Sequence, residues 1–143
     1  MSERGGLFPA VSFYLTAERH ARAARKNYFL GLVYTRLGEV YSEQMNYEGM
    51  LEYYRKALSH FRLLGNTSLQ NSAQLNLANA YFSLKDTTNA RKYYAAALSL
   101  ARKRADDEIF AACLGNLGSM YAAGGNYSCL LYTSPSPRDS TSS

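Results

Sequence analysis

No run of 18 apolar residues occurs in the chain, which excludes a membrane-spanning helix in this stretch. The opening Met1-Ser2-Glu3-Arg4-Gly5-Gly6 has no apolar h-region of the secretory kind, so a cytoplasmic location is expected. Cysteine and histidine are scarce. Cys113, Cys129, His20 and His60 are too few and too scattered for a disulfide framework or a Cys/His metal site. Catalytic signatures are lacking as well: there is no Gly-rich phosphate loop after a strand, no His-Glu-x-x-His and no Gly-x-Ser-x-Gly. Cys113 has no basic sequence neighbour to draw out a thiolate. The expectation is therefore a non-enzyme that needs neither cofactor nor metal.

What is present is a modest basic excess and a strong internal repeat. The 16 basic and 11 acidic residues give a net charge of +5, too little to name a partner, so position decides its meaning. Arg19, Arg22, Arg25 and Lys26, then Arg55, Lys56 and Arg62, then Arg91, Lys92, Arg102, Lys103 and Arg104 recur about 40 residues apart, so the charge follows a repeat.

The register is carried by Tyr41, Tyr81 and Tyr121, each preceded by four residues by Leu37, Leu77 or Leu117, with Gly38, Ala78 and Gly118 between. Tyr14, Tyr54 and Tyr94 keep the same step of 40, as do Ala17, Ala57 and Ala97. Tyr53 pairs with Tyr93, Leu58 with Leu98 and His20 with His60, so the histidines read as copies of one position rather than as ligands. The tyrosines are packing phases for the same reason, and nucleobase stacking is not expected of them.

Apolar spacing within each period is helical. Leu30, Tyr34, Leu37, Gly38 and Tyr41, and later Phe110, Leu114, Leu117, Gly118 and Tyr121, outline a helix A. Tyr47, Met50, Leu51, Tyr54, Ala57, Leu58 and Phe61, with Ala90, Tyr94, Ala97, Leu98 and Ala101 as its copy, outline a helix B at i, i+3, i+4, i+7. Turns are predicted at 44–46, 85–87 and 124–126, and Gly65-Asn66-Thr67 and Asp106-Asp107 separate one B from the next A. Asn66 or Thr67, and the Asp pair, can cap the helices that follow. Small residues let antiparallel helices approach, so Gly38 and Ala78 are expected to face Ala57 and Ala97 while tyrosine and leucine fill the remaining space. One hairpin cannot cover its own apolar faces. Stacked hairpins would form an all-α, right-handed superhelical solenoid of antiparallel helix pairs, its concave side lined mainly by A helices.

Leu37-Gly38-Glu39-Val40-Tyr41 with Tyr47, Tyr54 and Ala57 resembles the tetratricopeptide repeat, as does Leu77-Ala78-Asn79-Ala80-Tyr81 with Ala90, Tyr94 and Ala97. The likeness covers about residues 7 to 127, and its 40-residue period resembles the long-helix variety of that family. Met50 in place of alanine, the polar Gln74 in helix A and the missing proline after helix B are departures. The implied organisation is a B helix of a partial repeat in 1–25, repeats at 26–65 and 66–105, helix A of a partial repeat at 106–128, and a disordered tail at 129–143. The B helix is placed at residues 8–25, with Pro9 in its first turn where a missing N–H costs nothing. The lone B helix at the start reads either as a genuine N-terminal cap or as a start within a truncated gene, and the second reading is the one expected. Repeat phase is lost after Tyr127, and Cys129-Leu130-Leu131-Tyr132-Thr133-Ser134-Pro135-Ser136-Pro137-Arg138-Asp139 back-translates to a string that resembles a sequencing adapter read in frame, so this tail is expected to be foreign.

The family resemblance implies binding of a protein or peptide in the concave groove. Positions one step before Leu37, Leu77 and Leu117 point inward in such repeats, and they hold Arg36, Asn76 and Asn116. A carboxamide there offers donors and an acceptor to a peptide unit. Glu39 and Asn79, with Thr35, Ser42, Glu43, Phe82 and Ser83, would line the same groove. A carboxylate clamp of basic residues is not expected, because the corresponding phases carry Thr35, Glu39, Ala112 and Ser119. The basic clusters on B helices read as a solvated outer face, with no nucleic acid expected. The alternative to a stand-alone interaction module is a sensor or regulatory segment of a larger bacterial signalling or transcriptional regulator.

Overall fold

The computed structural model describes residues 2–124 except residue 24, with side chains described from Pro9 onward. The tail expected at 129–143 lies outside the described residues. The chain is built from six helices: α1 (Ser2–Ala23), α2 (Asn27–Glu43), α3 (Tyr47–Leu64), α4 (Thr67–Ser83), α5 (Thr87–Lys103) and α6 (Asp107–Ala123). Each packs against its neighbours in sequence, and α4 also touches α6. The fold is an all-α, solenoid-like stack of antiparallel helices, as the 40-residue register predicts.

The connections explain the regularity. Arg25, Met45, Gly65, Lys85 and Ala105 all have positive φ, between 54° and 77°, and they recur every 20 residues. A left-handed residue ends one helix and turns the chain back. At three of these turns, the next residue joins two helices. Asn46 donates its N–H to the Tyr41 carbonyl (2.9 Å), closing α2, and its side chain accepts from the Gly49 N–H (3.0 Å), opening α3. Asp86 does the same between Tyr81 and Asn89, and Asp106 between Ala101 and Ile109. Asn66, rather than Thr67, caps α4 by accepting from the Leu69 N–H at 3.0 Å. Lys26, at the equivalent position before α2, makes no side-chain cap.

The core runs through the stack as buried Leu30, Tyr34, Leu37, Tyr54, Ala57, Leu58, Phe61, Leu77, Ala78, Tyr94 and Ala97. The missing Cβ of Gly38 leaves room for the Tyr54 ring, one of the tyrosines expected to fill the space that the small residues open. Gly31 does the same for the Phe61 ring. One period later, Asn71 stands at the glycine position and Ala101 at that of Phe61, both nearly fully buried, so a large-for-small exchange conserves volume.

One expectation about α1 needs correction. The helix begins at Ser2 instead of residue 8, which places Pro9 inside it. Ala17 is exposed and Ala21 is the buried alanine of α1, which packs chiefly on α2 among the described helices. Ala57 and Ala97, by contrast, lie on helices with a neighbour on each side.

Candidate binding surface

The five residues expected in the groove all lie on α2, α4 and α6. Arg36 is exposed, and its guanidinium pairs with Glu39 one helical turn on at 2.9 Å. Asn76 is half-buried. Asn79 and Asn116 are joined directly: the Asn116 Nδ2 donates to the Asn79 Oδ1 at 2.9 Å, linking α4 to α6. The same Oδ1 accepts the phenol of Tyr94 from α5. Burial first, then the neighbouring Cys113, pushes the Tyr94 phenol up to about 12, so it remains a donor at neutral pH. One carboxamide oxygen thus receives two donors and is held by three helices.

Among the described residues, that leaves the Asn79 amide, the Asn116 carbonyl and one Asn116 N–H without a hydrogen-bond partner on a fixed frame, while the Arg36–Glu39 pair holds the equivalent positions one period earlier. The arrangement offers donors and acceptors to a polar backbone or side chain. It holds no nucleophile. Cys113 is fully buried, and its thiol is pushed up to about 11, chiefly by burial and then by Asp106, which keeps it protonated and unreactive. Among the described residues no group of His, Cys, Asp and Glu is gathered as a metal site would need.

Other polar groups escaped the sequence reading. Asn71 donates to the Ala97 carbonyl at 3.1 Å and accepts from Gln74 at 3.2 Å, so the polar Gln74 of α4 is satisfied inside the stack. Tyr34 donates to Glu18 at 2.6 Å, accepts from Arg22 at 3.0 Å, and stacks on Tyr53 and His60. The basic clusters are partly engaged with rings. Arg55 donates to the Tyr81 hydroxyl at 2.6 Å, Lys56 lies 5.3 Å from the Tyr53 centroid, and Arg102 lies 5.5 Å from that of Phe110. Spacing alone does not reveal the bonds that join two helices, such as Arg55 to Tyr81 and Asn71 to Ala97, because their reach depends on packing.

Two tetratricopeptide repeat models match the chain, one at residues 32–59 and one at 69–128. The chain belongs to the tetratricopeptide repeat family. No curated protein matches it significantly. Tetratricopeptide repeats are generally protein–protein interaction modules and typically carry no catalytic groups. In this tetratricopeptide array no described helix is long and apolar enough to cross a membrane. The Asn79–Asn116 bond spans α4 and α6, two successive A helices of the array, which carry the leucine–small–tyrosine motif at Leu77-Ala78 and Leu117-Gly118.

Proposed function

We propose that this tetratricopeptide array binds an extended peptide or a partner helix along the face formed by Arg36, Glu39, Asn76, Asn79 and Asn116. The observation that carries this reading is the Tyr94–Asn79–Asn116 chain of hydrogen bonds. It fixes two carboxamides before any ligand arrives, so little side-chain freedom remains to be lost on binding. The unused donors and acceptor on Asn79 and Asn116 match the alternation of N–H and C=O along a peptide, and Asn76 extends the row. Arg36, although paired with Glu39, is exposed enough to exchange that partner for an acidic ligand side chain.

The test is selection of peptides from a displayed random library, followed by affinity measurement on single variants. Asn76→Ala and Asn116→Ala are each expected to weaken the selected peptide, together by about 1 to 3 kcal/mol. Charge reversal of Arg91 and Lys92 on α5 is expected to leave it unchanged. Loss at Arg91 and Lys92 with tolerance at Asn76 and Asn116 would move the binding surface to the other side of the array.

A further inference from the structure

Arg55 and Tyr81 make up part of an arrangement that the chain completes elsewhere, and we infer that the missing member is a carboxylate from an acidic segment of a partner protein. The complete example lies at Tyr34. Its hydroxyl donates to Glu18 at 2.6 Å and accepts from the Arg22 Nη2 at 3.0 Å, while the same nitrogen reaches Glu18 at 2.8 Å, closing a ring of three groups. Lys56 lies 5.6 Å from the centroid of the Tyr34 ring and adds a second positive charge. Burial opposes ionisation of Glu18, yet the bonds from Tyr34 and Arg22 hold its carboxyl below 4.5, so a phenol beside a guanidinium favours a bound carboxylate.

The incomplete example joins α3 to α4. The Arg55 Nη2 donates to the Tyr81 hydroxyl at 2.6 Å, with the guanidinium 5.7 Å from the ring centroid. Tyr81 is only 6% exposed, and among the described residues its O–H proton has no acceptor. Arg55 is exposed, and the salt bridges among the described residues, Arg22–Glu18, Arg36–Glu39 and Lys56–Glu52, do not include it. A second cation stands near here too: Tyr93 stacks on Tyr81 at 5.5 Å, and Lys92 lies 5.8 Å from the Tyr93 centroid. A carboxylate seated as Glu18 is would accept from the phenol and the guanidinium together. Packing does not call for this pair. Tyr41, one period before Tyr81, stacks on Tyr53 at 5.4 Å in the same way, yet Leu15 stands forty residues before Arg55, and Tyr121 and Ala95 stand forty residues after the pair. The arginine therefore marks one place among the internal helices rather than a repeat position. That place is separate from the Asn79–Asn116 face, because Asn79 and Tyr81, two residues apart on α4, project to different sides.

Acetylated, amidated hexaglutamate is the probe, titrated to about 5 mM into the isotope-labelled full chain at fixed ionic strength and followed by NMR, with hexaglutamine as the uncharged control. Saturable shifts centred on the Arg55 side chain and on the amides around Tyr81 and Tyr93 are expected with hexaglutamate alone. Tyr81→Phe and Arg55→Lys both preserve the net charge. Each is expected to weaken binding about tenfold, the first by removing the O–H donor and the second by removing the fork that reaches phenol and carboxylate together. Arg55→Lys, at an exposed position, decides the matter alone should Tyr81→Phe lose its helical circular dichroism. Arg36→Lys and Asn76→Ala are expected to leave binding of this probe unchanged, so the inference stands or falls apart from the groove. Binding that tolerates both Tyr81→Phe and Arg55→Lys means diffuse attraction to a basic surface and overturns the inference. So does the lack of saturable binding, a loss confined to Arg36→Lys, or inorganic phosphate that binds at Arg55 more tightly than the peptide.

Discussion

Phe61 sits where Gly31 has no side chain, and one period later Asn71 and Ala101 hold the same two positions with the sizes reversed. The physical content is a shared volume, so the two sites should behave as a coupled pair. Gly31→Asn alone is expected to overpack against the Phe61 ring and destabilise by about 1 to 3 kcal/mol. Phe61→Ala alone should leave a cavity at a cost of about 3 to 5 kcal/mol. The double variant recreates the arrangement of the second hairpin and is expected to recover a measurable part of that sum, read as a non-additive term in urea unfolding. Strict additivity would mean that the two positions do not share space. The repeat phase pointed to the positions that pack, while the partner of each remained hidden. That the Tyr54 ring takes the space at Gly38 is not given by spacing, because a helix face offers several neighbours within one turn and ring orientation decides among them.

At the level of the element, the caps and the left-handed turns set the 20-residue step. Among Arg25, Met45, Gly65, Lys85 and Ala105, only one is glycine. A non-glycine residue in the left-handed region costs about 1 to 2 kcal/mol, of which glycine's greater freedom in the unfolded chain takes back part. Ala105→Gly is therefore expected to stabilise by about 0.5 to 1 kcal/mol, seen as a higher urea midpoint with an unchanged slope. A lower midpoint would show that the Ala105 side chain contributes contacts that outweigh the backbone gain. The turns were legible as turns in the sequence, but their handedness was not, since Met45, Lys85 and Ala105 carry no glycine or asparagine signature.

The junction of α1, α2 and α3 adds a pH dependence at this same scale. Burial, with Arg22 nearby, holds the His60 imidazole below its ordinary value of 6.5. Burial opposes ionisation of Glu18, but hydrogen bonds from Tyr34 and Arg22, with the charges of Arg22 and Lys56, outweigh it and hold the carboxyl below 4.5. In both cases the unfolded chain binds more protons than the folded one, so stability rises with pH across each window. The His60 contribution is lost as pH falls below about 6.5, and that of Glu18 below about 4.5. Stability should be flat between about pH 7 and 8, decline on acidification in two stages, and fall again in the alkaline range where the unfolded chain loses the Cys113 and Tyr94 protons that the fold retains. His60→Gln keeps a group able to bond Asn27 and is expected to remove the upper stage alone. A decline that is unchanged in that variant would assign the upper stage elsewhere.

For the molecule as a whole, stability in a linear stack is a sum of each hairpin and the contacts to its neighbours, so its ends open before its middle. The buried side chains of α4 include Asn71, Ala73, Gln74, Leu77, Ala78, Ala80 and Tyr81, whereas α6 buries Cys113 and Met120. This asymmetry was visible in the sequence as a helix A whose following helix B loses phase, which is why the architecture could be read so fully. The candidate binding face was legible only as a row of positions. That Asn79 and Asn116 would bond each other, with Tyr94 below them, depends on how closely α4 and α6 approach, and a period of 40 does not contain that distance. In hydrogen exchange on a dilute, monomeric sample, amides of α6 are expected to exchange faster than those of α4 by a large factor, with Asn116→Ala accelerating α6 further through loss of its bond to Asn79. Equal protection of α4 and α6 in the dilute sample would contradict the unequal burial on which this expectation rests.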